Sequence, residues 1–183
     1  MWDSKDYMIL SGLHATTMSS YQEICKNGFK SGKGLRGTGV YFWDDAEHLA
    51  YELACSWYKY SLHVKAYSNC DNAEMAIVQG KWEIEETEFL DIEPRDIRVE
   101  VYKTGIALEI DMTDRKKLCG LYDAFFKRLE KNLGCQIKVI GVGVSPLPIG
   151  YSPKYPSQVL GPPYCYIVRE AGIIRTSLYR RTS

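Results

Sequence analysis

The chain has 183 residues, 45% of them hydrophobic and 25% charged, a composition that supports a folded domain with a full core and excludes a disordered one. Lysine plus arginine and aspartate plus glutamate each number 23, so no global field recruits a nucleic acid or a membrane, and any such contact has to be local. The six cysteines, at 25, 55, 70, 119, 135 and 165, include no Cys-x-x-Cys pair and stand apart from the three histidines, so no metal site is expected.

In chain order, residues 1–17 lack a charged leader followed by a long apolar stretch, and no run of about twenty apolar residues marks a membrane span. The expectation is a cytoplasmic protein with reduced thiols. Residues 7–16 read as a first strand that ends near His14. Ser20 and Glu23 have the spacing of a capping box and Gly28 is a natural stop, which predicts a helix over 21–27. The β-branched and aromatic run GTGVYFW (37–43), bounded by glycine and by Asp44-Asp45, reads as a second strand. Those aspartates, with Glu47, are expected to cap a second helix running to about Tyr60. Further strands are expected over 74–84, within 97–110, and over 137–145, 164–168 and 172–180. The clearest helix spans 113–134, where Leu118, Leu121, Phe125, Phe126 and Leu129 recur at helical spacing and Lys127, Arg128 and Lys131 take the other face. It reads as a support that covers a core. Strands that do not alternate regularly with helices indicate an α+β fold with mainly antiparallel sheet, and no repeat or linker divides the chain, so 1–183 is expected to form one domain.

The loop GFKSGKGLRGTG (28–39) invites a phosphate-binding reading. A Walker A loop requires two glycines five apart, then lysine and a hydroxyl residue that reaches magnesium. Here Gly28 and Gly32 are too close and Gly34 follows Lys33, which excludes a P-loop. Lys33 and Arg36 remain candidates to meet a diphosphate, beside the plain alternative of a solvated connection. His14 alone is compatible with a structural residue at a strand end, and Tyr41 alone with an ordinary strand aromatic. Their combination is more informative: a histidine closes the first strand, a short helix ends in Asn27-Gly28-Phe29, and Gly39-Val40-Tyr41-Phe42 leads into a helix bearing Ala50-Tyr51.

In these residues the chain resembles the ADP-ribosyltransferase superfamily, in the branch of the poly(ADP-ribose) polymerases and diphtheria toxin. That branch shows His-Gly-Thr/Ser at a strand end, a helix ending before Gly-Phe, and a Gly-hydrophobic-Tyr-Phe strand followed by a helix with a second tyrosine. Residues 8–58 carry the pattern in order and spacing, and YCYIVREAGIIRTSLY (164–179) resembles the family's final strand pair. The resemblance implies an ADP-ribosyltransferase-like α+β fold of two mainly antiparallel sheets with flanking helices, and NAD as substrate. By the same resemblance, His14 would hydrogen-bond a ribose hydroxyl and the main chain of Ala15, where the family usually has glycine, would clamp the nicotinamide carboxamide. Thr16 completes that motif and Arg36 stands near the diphosphate. Tyr41 and Tyr51 would sandwich the nicotinamide ring, and His48 occupies a place where the family often has serine.

Cleavage of the nicotinamide–ribose bond develops an oxocarbenium-like charge, which the family stabilises with a glutamate on a late strand. The resemblance puts Cys165 at that position. A neutral thiol would stabilise the cation poorly, and a thiolate requires a depressed pKa. Gln158, in a phrase similar to one of the arginine-specific branch, is the second candidate, and Glu170 the third because strand alternation turns it from the face of Cys165. Two functions follow. One is a glycosyltransferase that moves single ADP-ribose units from NAD to a macromolecular acceptor, protein first and RNA or DNA second, as a stand-alone toxin-like effector with an inhibitory antitoxin partner. The other is an inactive module that binds NAD or ADP-ribose.

Overall fold

A computed structural model describes residues 6–145 and 155–181. Eight strands and five helices alternate irregularly along it. The first strand, β1 (Tyr7–Thr17), runs directly into helix α1 (Met18–Asn27). Thr17 caps that helix by accepting from the Ser20 N–H, so the helix begins three residues before the expected 21, and Gly28 ends it at φ +74°. The ribbon β2 (Gly32–Gly34) and β3 (Gly37–Asp44) follows, then α2 (Ala50–His63) and β4 (Met75–Glu85). Leu49, at the N-cap of α2, makes no side-chain cap. Asp45 accepts from Ser11 Oγ (2.7 Å) and Gln79 Nε2 (2.9 Å) instead of opening the helix.

After β5 (Phe89–Asp91), the expected strand within 97–110 is a helix, α3 (Arg95–Ala107). The β-branched run Ile97-Arg98-Val99-Glu100-Val101 alternates like a strand. However, its buried members are Val101, Thr104 and Gly105, which share a helical face, and a Cβ on Gly105 would sit 2.6 Å from Met112 Sδ. Helix α4 (Arg115–Leu133) is capped by Asp114 and stopped by Gly134 in the left-handed region. The chain closes with β6 (Val139–Gly143), the short α5 (Ser157–Leu160), β7 (Tyr164–Val168) and β8 (Arg175–Leu178). No described helix is long and apolar enough to cross a membrane.

The strands form one sheet, in the order β5-β6-β7-β3-β1-β4-β8, with β2 paired to β3 off that path; only the β5–β6 neighbours are parallel. The two sheets expected from the sequence are thus joined into one, and the join is narrow. Strand β1 pairs with β4 from Tyr7 to Thr17, yet it meets β3 only through Gly12 with Asp44 and Leu13 with Trp43. Gly12 makes that approach feasible, since a Cβ there would lie 2.7 Å from both Phe42 Cβ and Trp43 O.

Packing holds the two halves. Helix α4 places Leu121, Phe125 and Phe126 on Ile140, Val142, Cys165 and Ile167, and α2 places Ala50, Ala54 and Tyr58 on Leu13, Ala15 and Ile77. The opposite face gathers Phe42, Trp82, Ile84 and Val168. Full burial of a leucine- or phenylalanine-sized side chain contributes about 1.5–3 kcal/mol, so these clusters hold the two halves together across the narrow join.

Candidate functional site

The backbone phase of β1 decides what faces the separation. Met18 N–H donates to Glu74 O (2.7 Å) and Glu86 N–H to Asp6 O (3.0 Å), so the even-numbered β1 residues bond to β4. Ile77, the cross-strand partner of Ala15, accepts instead from Tyr179 N–H on the far side (2.8 Å). The N–H and C=O of Ala15 therefore point away from β4, to the side that β3 has left. Two further residues of β1–β3 ladder would pair Ala15 with Tyr41. In place of that pair, His14 Nδ1 lies 2.9 Å from Tyr41 O. The imidazole takes the carbonyl, and the Ala15 main chain is left aimed into the gap.

That contact also sets the tautomer. A carbonyl only accepts, so Nδ1 carries the hydrogen. Burial lowers the His14 pKa below its usual 6.5 and keeps the ring neutral, which leaves Nε2 as an acceptor. The ring is held edge-on by Phe29 (5.4 Å, 84°) and tilted against Phe42 (5.6 Å). Phe29 is the residue just after the α1 stop, so the end of that helix positions the histidine.

Tyr41 is fixed from its far end. Its hydroxyl donates to Gly37 O (2.8 Å) and accepts from Arg36 N–H (3.2 Å), and burial raises its pKa. A Cβ on Gly34 would overlap the Tyr41 hydroxyl and ring, so glycine is what lets β2 close over it. The ribbon is tied to α4: Asp123 accepts from Thr38 N–H (2.8 Å) and Thr38 Oγ1 (2.7 Å), and Arg36 donates to the Tyr122 hydroxyl (3.0 Å) while lying 5.3 Å over that ring. The glycine-rich loop therefore braces an aromatic wall, whatever else it meets.

A cavity of about 1440 Å³ opens at the separation and brings together His14, Ala15, Lys33, Arg36, Tyr41 and Cys165. Thr16 is not among its walls; it is buried and bonds Tyr67. His48 and Tyr51 line a second cavity, of about 430 Å³, with Tyr179 and Arg181. The expected sandwich of Tyr41 and Tyr51 is therefore not formed. Tyr51 packs on Tyr179 (5.9 Å) and beneath the Arg181 guanidinium (4.9 Å). The reason is helical phase: with Ala50, Leu53, Ala54 and Tyr58 turned to the core, Tyr51 leaves sideways, and it is Trp57 and Tyr60 that reach the larger cavity.

Cys165 does stand in the cavity wall, on β7 beside Trp43. It is 4% exposed, its Sγ donates to Tyr166 O (3.6 Å), and burial pushes its pKa up to about 12. It is a neutral thiol, not a thiolate. The other candidates are elsewhere: Gln158 is exposed on α5 and lines neither cavity, and Glu170 lies 3.9 Å from Lys138 behind β7. Among the described residues, the carboxylates that line the larger cavity are Glu23 and Asp71.

Sequence reasoning missed Trp57, Tyr60, Arg115 and Lys116, which all line the larger cavity. Asp114 before two cations marks where α4 begins, and that start could have been read as a cationic rim. Among the described residues no group of three or more histidine, cysteine, aspartate or glutamate side chains could hold a metal ion. No family model, curated protein or solved structure matches the chain.

Proposed function

We propose that this chain is an NAD-dependent ADP-ribosyltransferase with an ADP-ribosyltransferase-like fold, moving single ADP-ribose units to a macromolecular acceptor. The observation that carries the reading is the parting of β1 and β3 at Leu13–Trp43, where His14 holds the Tyr41 carbonyl and the Ala15 main chain faces the gap. An N–H and a C=O on one strand residue match the acceptor and donor of a primary carboxamide. Ala15 has no positive φ, so alanine serves there as well as glycine. Nε2 of His14 would accept from a ribose hydroxyl, Tyr41 would offer a ring face to the cationic nicotinamide, and Lys33 and Arg36 would meet the diphosphate.

With a buried neutral thiol at position 165, the residues named here bind and orient but supply no negative charge to the sugar cation. That favours transfer of one unit over chain elongation. It also supports a second reading, an inactive module that holds NAD or ADP-ribose. A toxin-like effector acting in the cytoplasm against a neutralising antitoxin partner is the biological setting we propose for the active form.

Labelled NAD separates the readings. An enzyme releases nicotinamide, and His14→Ala and Tyr41→Ala abolish the release. Saturable NAD binding without release leaves the module. If calorimetry detects binding of neither NAD nor ADP-ribose by the folded chain, both are wrong.

A further inference from the structure

We infer that the larger cavity carries a second subsite, formed by Trp57 and Tyr60 with Lys30, Lys33, Arg115 and Lys116, that binds a single-stranded nucleic acid. All six residues line the cavity, whose volume of about 1440 Å³ leaves room beyond one dinucleotide, since small-molecule sites occupy roughly 300–1,000 Å³. Trp57 is 43% exposed, and its ring centroid lies 5.9 Å from that of Tyr60 with 41° between the planes. Helix α2 thus turns two adjacent rings toward the cavity in place of Tyr51.

The charge is just as local. A chain with 23 bases and 23 acids puts Lys30, Lys33, Arg36, Arg115 and Lys116 in this one lining, against Glu23 and Asp71. Glu23 already accepts from Asn27 (2.7 Å) and lies 4.0 Å from Lys30. Lys30 and Lys33 come from the segment after α1 and Arg115 and Lys116 from the first turn of α4, so cations enter from two elements of the fold. Cations alone would accept any polyanion. The paired rings favour a nucleotide chain, because every base has a face that stacks on an aromatic side chain and an acidic peptide has none.

That this strand is the acceptor rests on the transferase reading. An N–H or O–H group of the strand would attack the anomeric carbon of the NAD ribose and form the new bond there. The C–N bond to nicotinamide would break with its electron pair leaving on neutral nicotinamide, and the attacking group's proton would pass to water.

Binding is tested first without NAD, by anisotropy of fluorescein-labelled twelve-residue oligothymidylate and oligouridylate. The expected result is binding whose logarithmic salt slope is about −3, from about −0.7 per phosphate over four contacts. Trp57→Ala weakens it about tenfold, the loss of one stacked base, while Trp57→Phe restores most of it. Trp57 is exposed, so the variant folds, which circular dichroism verifies. Saturating ADP-ribose, whose diphosphate takes Lys33 but leaves both rings and the other three cations, weakens binding less than tenfold and does not abolish it. No binding, equal binding of an oligoglutamate of the same charge, or strict competition by ADP-ribose overturns the subsite. Nicotinamide release is measured without oligonucleotide, so the transferase reading fails or stands separately. If release and oligonucleotide binding both occur and mass spectrometry finds no ADP-ribosyl unit on the strand, the acceptor role is wrong.

Discussion

Tyr41 and Tyr51 are ten residues apart and look like a pair in the sequence, yet they belong to different surroundings. Tyr41 sits on a strand that pairs with β7 on one side, with Ile167 opposite it, and has parted from β1 on the other, yet its hydroxyl is held by Gly37 and Arg36 and its ring is closed over by Gly34. Tyr51 sits in the first turn of a helix, against Tyr179 and Arg181 near the end of the described chain. The strand residue is over-determined by register, and the helix residue is placed by a phase that its distant core contacts choose. The larger cavity is therefore built at the parting of two strands, and the smaller one at the edge of a helix.

The sharpest way to break this contrast is Gly34→Ala. The added Cβ has to displace the Tyr41 ring, and a shift of about 1 Å in a positioning group costs on the order of hundredfold in rate. Gly32→Ala in the same strand meets nothing within 4 Å and leaves nicotinamide release unchanged. Equal loss in both variants would mean that the loop matters for its flexibility and not for bracing Tyr41.

His14 gives the next largest effect, read through pH. Burial depresses its pKa, so the folded chain binds fewer protons at this site than the unfolded one as pH falls below the ordinary histidine value of 6.5. Stability from this group is fully present above 6.5 and declines as pH drops from there toward the lower folded pKa. Protonation also removes the Nε2 acceptor, so nicotinamide release falls about tenfold per pH unit below the folded pKa. Denaturant titrations at several pH values should show the acid-side slope shrink in His14→Gln. A slope that survives in that variant assigns the acid sensitivity to another group.

How much of this was legible from sequence follows from where the information is stored. Strands β1, β3 and β4 and helices α1 and α4 announce themselves through local period and, for the two helices, through the end signals Gly28 and Gly134. Within residues 97–110 the β-branched alternation of Ile97, Val99 and Val101 reads as a strand, whereas burial of Val101, Thr104 and Gly105, the last against Met112, follows helical spacing. The gathering of His14, Ala15 and Tyr41 in one cavity could be anticipated from a motif, but the reason for it could not. How far β1 runs beside β3 depends on packing between residues far apart in the chain, and so does the phase of α2 that sends Trp57 rather than Tyr51 into that cavity.

A smaller effect is expected at the second cavity. Tyr51→Ala removes the ring beneath Arg181 and the contact with Tyr179, which should cost about 1 kcal/mol of stability in an exposed cation–ring setting. Nicotinamide release should stay within threefold. A loss as large as that of Tyr41→Ala would show that α2 rotates on ligand binding and brings Tyr51 into the slot after all.

The smallest effect is predicted at Cys165, and its smallness is informative. If the thiol supplied charge to the reaction, it would have to ionise near neutral pH, yet burial pushes it up to about 12. Its Sγ is turned to Tyr166 O (3.6 Å) within the cluster that α4 covers, where it behaves as a small apolar side chain. N-ethylmaleimide should leave it unlabelled in the native chain, as judged by peptide mass spectrometry, and Cys165→Ala should lower stability by about 1 kcal/mol without changing nicotinamide release beyond twofold. Should alkylation at Cys165 proceed at the rate of an exposed thiol and stop turnover, the sulfur would be the reacting group. Retained turnover in Cys165→Ala would mean that positioning at the strand separation, and not charge from β7, carries whatever catalysis the chain performs.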